Sequence, residues 1–291
     1  MTQSEHSKIS VTAKLVAYFR QFSDIPFAEE VAEFIHAKEA FEGIIERSDL
    51  ETNELLQYAP IFEARYKSIV RLLRQHQCQQ VLELASGFSL RGLAMSNSDG
   101  LNYIETDLAG VNEEKRKLIE QVRSAHNLKN TGIHHVATAN ALDLDELKPA
   151  MVPLKRGSKL AIVNEGLIHY FSADERETLA KIIRSILEQF EGSIWITPDF
   201  STKLDANNVP SALNKLRDAI AGATDRELYN SAFETDEQRD DFFRKLGFNF
   251  ECHFQADLVE DIASVYKLKI RPEVMQRLKR WMRIWVLSLP G

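Results

Sequence analysis

The segment Val81-Leu82-Glu83-Leu84-Ala85-Ser86-Gly87-Phe88-Ser89-Leu90-Arg91-Gly92 constrains the fold more than any other part of the chain. A short apolar run carries a carboxylate, breaks into small residues and passes into a helix-like stretch. Such a strand, tight turn and helix N-terminus can hold a nucleotide-like ligand. A second apolar run, Tyr103-Ile104-Glu105-Thr106-Asp107, ends in an acid about 20 residues further on, which is the spacing of a carboxylate that meets a ribose. The glycine pattern is incomplete, because Ala85 and Ser89 stand where glycines could.

From residue 77 onward, strand-like and helix-like segments alternate. Strands are predicted at 80–84, 102–106, 133–138, 159–164 and 193–198, and helices at 89–97, 112–125 and 174–190. Alternation of this kind implies an α/β fold with a parallel sheet and crossover helices on both faces. A helix over 236–246 closed by Gly247, a strand at 248–254, helices around 257–280 and a last apolar run at 284–287 complete the chain. Residues 1–76 read as helical. A helix start is expected at Ser10-Val11-Thr12-Ala13, Pro26 punctuates, and a further helix spans Ala59 to Gln75. The expected organisation is a helical cap or lid over 1–76 and a ligand-binding domain over 77–291, with helical insertions near 201–235 and 257–280.

Composition narrows the partners. A net charge of −7 argues against a nucleic-acid backbone as principal partner. The sequence has no apolar run long enough to span a membrane, and the polar start Met1-Thr2-Gln3-Ser4-Glu5 is unlike a secretory signal, so a cytoplasmic protein is expected. Cys78 and Cys252 lie far apart in strand-like contexts and read as reduced thiols rather than as a disulfide or metal pair.

Ligands of parallel α/β sheets bind beyond the carboxyl ends of the strands. Those positions carry Glu83 and Gly87, then Asp107, then Asn140 between Ala139 and Ala141, then Glu165 followed by His169 and Tyr170. A dinucleotide such as NAD needs a fuller G-x-G-x-x-G, whereas the equivalent positions here are Ala85, Gly87 and Leu90. The leucine should hinder close helix–strand packing. A cofactor without a pyrophosphate relaxes the glycine requirement. S-adenosylmethionine fits, with its ribose, its adenine and an amino-acid tail whose carboxylate wants a cation.

In these residues the chain resembles the leucine carboxyl methyltransferase-like family of class I S-adenosylmethionine-dependent methyltransferases, in its bacterial O-methyltransferase branch. The similar segments are Ser10 to Arg20, Glu63-Ala64-Arg65-Tyr66-Lys67-Ser68-Ile69, Asp107-Leu108-Ala109-Gly110-Val111 with Lys115-Arg116, and Glu165-Gly166-Leu167-Ile168-His169-Tyr170-Phe171. They run from about residue 9 to 200. The resemblance implies a Rossmann-like, doubly wound, mainly parallel sheet with an antiparallel last strand. It implies that Arg65 holds the methionine carboxylate and that Glu83, Ala85 and Gly87 flank the methionine part. Asp107 and Leu108 would meet the ribose, Asn140 and Ala141 the adenine, and Glu165 the ammonium or sulfonium end. Two departures stand out. Gly87-Phe88-Ser89 lacks the acid of the Gly-x-Asp carried by many bacterial members, and Ala85 replaces the first glycine.

Methyl transfer from a sulfonium is an in-line displacement, in which the protein aligns the reacting atoms and excludes water. A carboxylate acceptor needs no general base, and a hydroxyl benefits from one. His169, Tyr170 and Asp199 are the candidates on the acceptor side. The pair His134-His135 points to opposite faces of a strand and reads as a strand edge, not a metal site. The expected partner is a small-molecule methyl acceptor bound by a monomer or homodimer. A protein C-terminal carboxylate, the substrate of eukaryotic members, is a further possibility that the resemblance brings. A degenerate methyltransferase fold kept as a binding or regulatory protein, and an NAD-binding oxidoreductase, are the alternative readings.

Overall fold

The structure, a computed structural model, describes residues 3–46, 51–129, 131–203, 212–216, 232–279 and 282–291, with the backbone alone for 3–11 and 277. Five helices come first: α1 (Gln3–Arg20), α2 (Ala28–Phe34), α3 (Ala37–Ile45), α4 (Thr52–Leu56) and α5 (Ala59–Gln75). The first begins at Gln3 rather than at the expected Ser10, since the Gln, Glu and Lys residues ahead of Ser10 are good helix formers.

Strands and helices then alternate as expected: β1 (Gln80–Leu84), α6 (Arg91–Ser98), β2 (Asn102–Asp107), α7 (Ala109–His126), β3 (Ile133–Thr138), α8 (Leu144–Ala150), β4 (Leu160–Asn164), α9 (Ala173–Leu187) and β5 (Ile194–Thr197). The chain continues through α10 (Asp236–Lys245), β6 (Asn249–Phe254), α11 (Gln255–Leu258), α12 (Ala263–Lys267), α13 (Pro272–Lys279) and β7 (Arg283–Ser288). Most of the insertion expected over 201–235 lies outside the described residues.

All seven strands share one sheet in the order β3-β2-β1-β4-β5-β7-β6. Pairing is parallel from β3 through to β5, and β7 runs antiparallel to both β5 and β6. The strand order reverses direction between β1 and β4, the switch point at which such sheets open a crevice.

The alternation of side chains along each strand divides the core. Val81, Tyr103, Ala161 and Ile196 face α5 and α6, meeting Ile69, Leu72 and Met95. Leu82, Ile104, Ile162 and Trp195 face the other way, onto Leu147, Leu179, Ile183 and Phe243. The first helices pack around Phe19, Phe41 and Leu55, and the same cluster includes Leu93, Leu118 and Val122 of α6 and α7. Helices α1 to α5 therefore share a core with the flank of the sheet domain.

The close helix–strand approach is made by Gly92, two positions beyond the Leu90 that the sequence pattern aligned with the third glycine. Leu90 is buried among the apolar residues of the first helices. At Gly92 an added Cβ would stand 2.7 Å from Glu105 Oε1 and 2.8 Å from Tyr103 Cδ1. Gly92→Ala should therefore destabilise the fold by about 1–3 kcal/mol, read as a lower urea midpoint. An unchanged midpoint would show that α6 moves away at no cost.

Candidate active site

A cavity of about 640 Å³ opens at the carboxyl ends of the parallel strands. Its size suits a cofactor plus part of a second ligand. Beneath it lie two acids side by side on adjacent strands, Glu83 of β1 and Glu105 of β2, which are register partners. Like charges so placed repel, and each has its own cation.

Glu83 receives Arg91 Nη1 at 2.6 Å and the Tyr103 hydroxyl at 2.6 Å. Glu105 meets Lys115 Nζ at 3.0 Å and His134 Nε2 at 2.9 Å, and accepts from the Gly92 amide at 3.1 Å. Lys115 is fully buried and also donates to Ser86 Oγ at 2.9 Å, so it links the acid of β2 to the loop after β1. Burial alone would raise the pKa of Glu105, but Lys115 and His134 outweigh it and bring it to about 2. The inward-facing His134 thus belongs to this network, while His135 is exposed.

The loop itself is held by Asp107. Its Oδ2 accepts from the Gly87 amide at 2.7 Å and its Oδ1 from the Leu108 amide at 2.8 Å. Burial raises the pKa of Asp107, with these two amides pulling it back. Gly87 sits at φ +53°, and nothing lies within 4 Å of where its Cβ would be. Ala85 holds φ 51°, a left-handed conformation that glycine adopts more easily. Ala85, Ser86, Gly87, Asp107 and Leu108 all line the cavity.

The third strand end contributes Asn140 and Ala141, which also line it. Asn140 Oδ1 accepts from the Leu142 amide at 3.0 Å, which turns the chain into α8. The cap of that helix is Asp143, whose side chain accepts from Asp145 and Glu146.

The fourth strand end is the most heavily charged. Glu165 binds Arg65 Nε at 2.8 Å through Oε1, and its two oxygens also take Arg20 Nη2 and Arg91 Nη2. Burial pushes its pKa up, but the charges of Arg20, Arg65 and Arg91 prevail and hold the carboxyl well below the usual range. The guanidinium of Arg91 lies 4.7 Å from the centre of the Tyr66 ring and that of Arg20 5.4 Å, and burial pushes the Tyr66 phenol up to about 12. Three guanidiniums thus face two carboxylates, Glu83 and Glu165. The Nη groups of Arg65 have no hydrogen-bond partner among the described residues, so its fork is open towards the cavity that it lines.

Of the acceptor-side candidates, His169 and Tyr170 line the cavity and Asp199 does not. Asp199 is buried beneath, where its carboxylate accepts from Asn164 Nδ2 and from the amides of Gly166, Leu167 and Ile168 at 2.8–3.2 Å. It shapes the turn after β4. His169 Nε2 stands 3.7 Å from Asp199 Oδ1, and burial lowers the His169 pKa against the pull of that acid.

The structure brings Arg65, Glu83, Ala85, Gly87, Asp107, Leu108, Asn140, Ala141, Glu165, His169 and Tyr170 to one cavity. Sequence reasoning missed Arg20, Arg91 and Lys115 as site residues. All three lay inside quoted segments, and the signal for Arg91 was its place directly after the loop.

These residues fit the amino-acid end of S-adenosylmethionine. An open guanidinium fork suits a carboxylate, and the bare surface over Gly87 leaves room for close approach.

Two consequences follow for stability. Glu105 and Glu165 have depressed pKa values in the fold, so their contribution is complete above about pH 4.5 and is lost as pH falls towards 2. Urea unfolding should show a plateau near neutrality and a fall in stability below pH 4.5. Glu105→Gln should flatten part of that fall. Lys115→Met strands Glu105 in the core and should remove about 3–5 kcal/mol at pH 7, measured the same way.

No protein-family model matches this sequence, and no curated protein matches it. Solved structures do. A DUF574-family protein from Streptomyces avermitilis is 15% identical, with 96% of this chain and 97% of that one covered at a TM-score of 0.59. A provisionally assigned methyltransferase from Thermobifida fusca is 16% identical, with 87% and 89% covered and a TM-score of 0.55. An O-methyltransferase family protein from Burkholderia thailandensis is 12% identical, with 89% of this chain and 62% of that one covered and a TM-score of 0.50. At such identities the likeness establishes the fold, and with the observed strand order it is that of the class I methyltransferases.

Proposed function

We propose that this chain is an S-adenosylmethionine-dependent methyltransferase of the leucine carboxyl methyltransferase-like group, transferring a methyl to an oxygen of a small molecule. The observation that carries this reading is the open fork of Arg65 on the same cavity as Gly87, Asp107 and Asn140. Bound S-adenosylmethionine supplies an electrophilic methyl on a sulfonium.

The rest is alignment by the chain's own groups. Arg65 takes the amino-acid carboxylate, with Arg20 beside it. Asp107, both of whose oxygens keep lone pairs beyond their amide bonds, takes the ribose hydroxyls. Leu108, Asn140 and Ala141 flank the adenine. Glu165 keeps the arginines in place and lends negative charge near the sulfonium end. His169 and Tyr170 stand on the acceptor side, and α1 and α5 cover the cavity, which excludes water from the displacement.

Calorimetry and thermal shift test this. S-adenosylmethionine and S-adenosylhomocysteine should both bind and raise Tm, while NAD should do neither. Asp107→Ala and Arg65→Ala should each weaken binding at least tenfold, since each loses hydrogen bonds to a charged group at about 1.5–3 kcal/mol. A shift with NAD and none with S-adenosylmethionine would overturn the proposal. Cofactor binding without methyl transfer to any acceptor would favour a degenerate, ligand-binding role.

A further inference from the structure

The two edges of the sheet differ in how they are protected. Among the described residues β3 ends the sheet on one side and β6 on the other. The amides of Ile133 and Ala139 donate towards β2, so by alternation the main-chain groups of His134, Val136 and Thr138 point outward from β3. There Arg116 of α7 reaches over the edge and donates to the Val136 carbonyl at 3.0 Å, which obstructs a further strand.

No such guard covers β6 among the described residues. The Gln255 amide donates to the Met282 carbonyl on the β7 side, so Asn249, Glu251 and His253 complete the ladder with β7. The N–H and C=O groups of Phe250, Cys252 and Phe254 therefore point away from the sheet, and no hydrogen bond meets them among the described residues. The strand Asn249-Phe250-Glu251-Cys252-His253-Phe254 holds neither lysine nor proline, the residues that commonly keep an edge from pairing. Phe254 is 43% exposed, and Glu251 and Cys252 are exposed as well.

A second copy of the same strand fits this edge in one register. Antiparallel pairing about a two-fold axis through Cys252 sets that residue opposite itself as a hydrogen-bonded pair. Phe250 then faces Phe254 of the other copy, again with outward main-chain groups on both sides. The closer, non-hydrogen-bonded pairs are Glu251 with His253 of the other copy, formed once on each side of the axis. Within one chain these two side chains already share a face, with His253 Nε2 3.5 Å from Glu251 Oε2. An axis through Glu251 would oppose two carboxylates, and one through His253 two imidazoles. An axis through Phe250 or Phe254 leaves much of the strand unpaired. We propose that two copies of this chain associate through β6 in the Cys252-centred register, continuing the sheet across an isologous interface. The main chain supplies the attraction, and the Glu251–His253 pairs set the register.

Sedimentation velocity of the full chain over a range of concentrations tests this, and a reversible dimer is expected at micromolar concentration. Glu251→Lys and His253→Glu should each weaken it about tenfold, since each change spoils two cross-strand pairs. The double variant restores opposite charges in exchanged order and should recover the dimer to within a few-fold. All three should keep the original unfolding midpoint. A short bismaleimide should join two chains through Cys252, because Cys78 is buried, and Cys252→Ser should abolish the product.

A chain that sediments as a monomer throughout overturns the proposal, as does a dimer that neither single variant weakens. Failure of the double variant to recover the dimer overturns the register, and a dimer without the Cys252 crosslink overturns the position of the axis. No donor or acceptor enters these measurements, so their outcome is independent of the methyltransferase reading.

Discussion

One carboxylate, Glu165, receives a guanidinium from each of three separate helices: Arg20 from α1, Arg65 from α5 and Arg91 from α6. It stands just beyond β4, so this ionic centre joins the first helices to the middle of the sheet. Removing it would leave three like charges together in a largely dry site, an arrangement that proteins tolerate poorly. Arg91 extends the centre, because its other nitrogen binds Glu83 on β1. The two strands at the switch point are thereby tied across their ends by a single side chain with no solvent exposure.

The second buried pair, Glu105 with Lys115, does the same for the other half of the crevice. Lys115 comes from α7 and reaches both β2 and Ser86 in the loop after β1. Asp107 then takes the amide of Gly87. The loop's position is therefore set by charges on neighbouring elements. This explains how Ala85 can hold a left-handed backbone without the glycine usual at such a turn. The modest strain of one residue is outweighed by an ion pair, a hydroxyl contact and an amide–carboxylate bond on its neighbours.

Much of the architecture was legible in the sequence for a simple reason. Apolar runs such as Val81–Leu84 and Ala161–Val163 are buried on both faces, and only a parallel sheet covered by helices gives that burial. The polar residues that follow each run, Asp107, Asn140 and Glu165, were found because topology sends all strand ends to one crevice.

What the sequence withheld was pairing. Nothing in the spacing of Arg20, Arg91 and Glu165, separated by 145 and 74 residues from the acid, shows that they meet. Asp199 looked like an acceptor-side group because it follows β5, yet it lies beneath the turn whose amides it binds. The close-packing glycine was misplaced for a related reason. The motif counts positions, while packing depends on which side of α6 meets β2, and that side carries Gly92.

The helices that precede the sheet are more than a cover. Arg20 and Arg65 are two of the three guanidiniums of the central cluster, and both come from those helices. The sheet domain alone would leave Glu83, Asp107 and Glu165 at its crevice with Arg91 as the sole guanidinium of that cluster, and so would repel an acid. Packing α1 and α5 onto the flank of the sheet offsets that negative charge. The same helices bring Ile61 and Phe62, one turn before Arg65, against the cavity. One turn of α5 thus supplies apolar wall and charge side by side, about 6 Å apart along its axis. The polarity of the cavity is therefore a product of the docking of two helices.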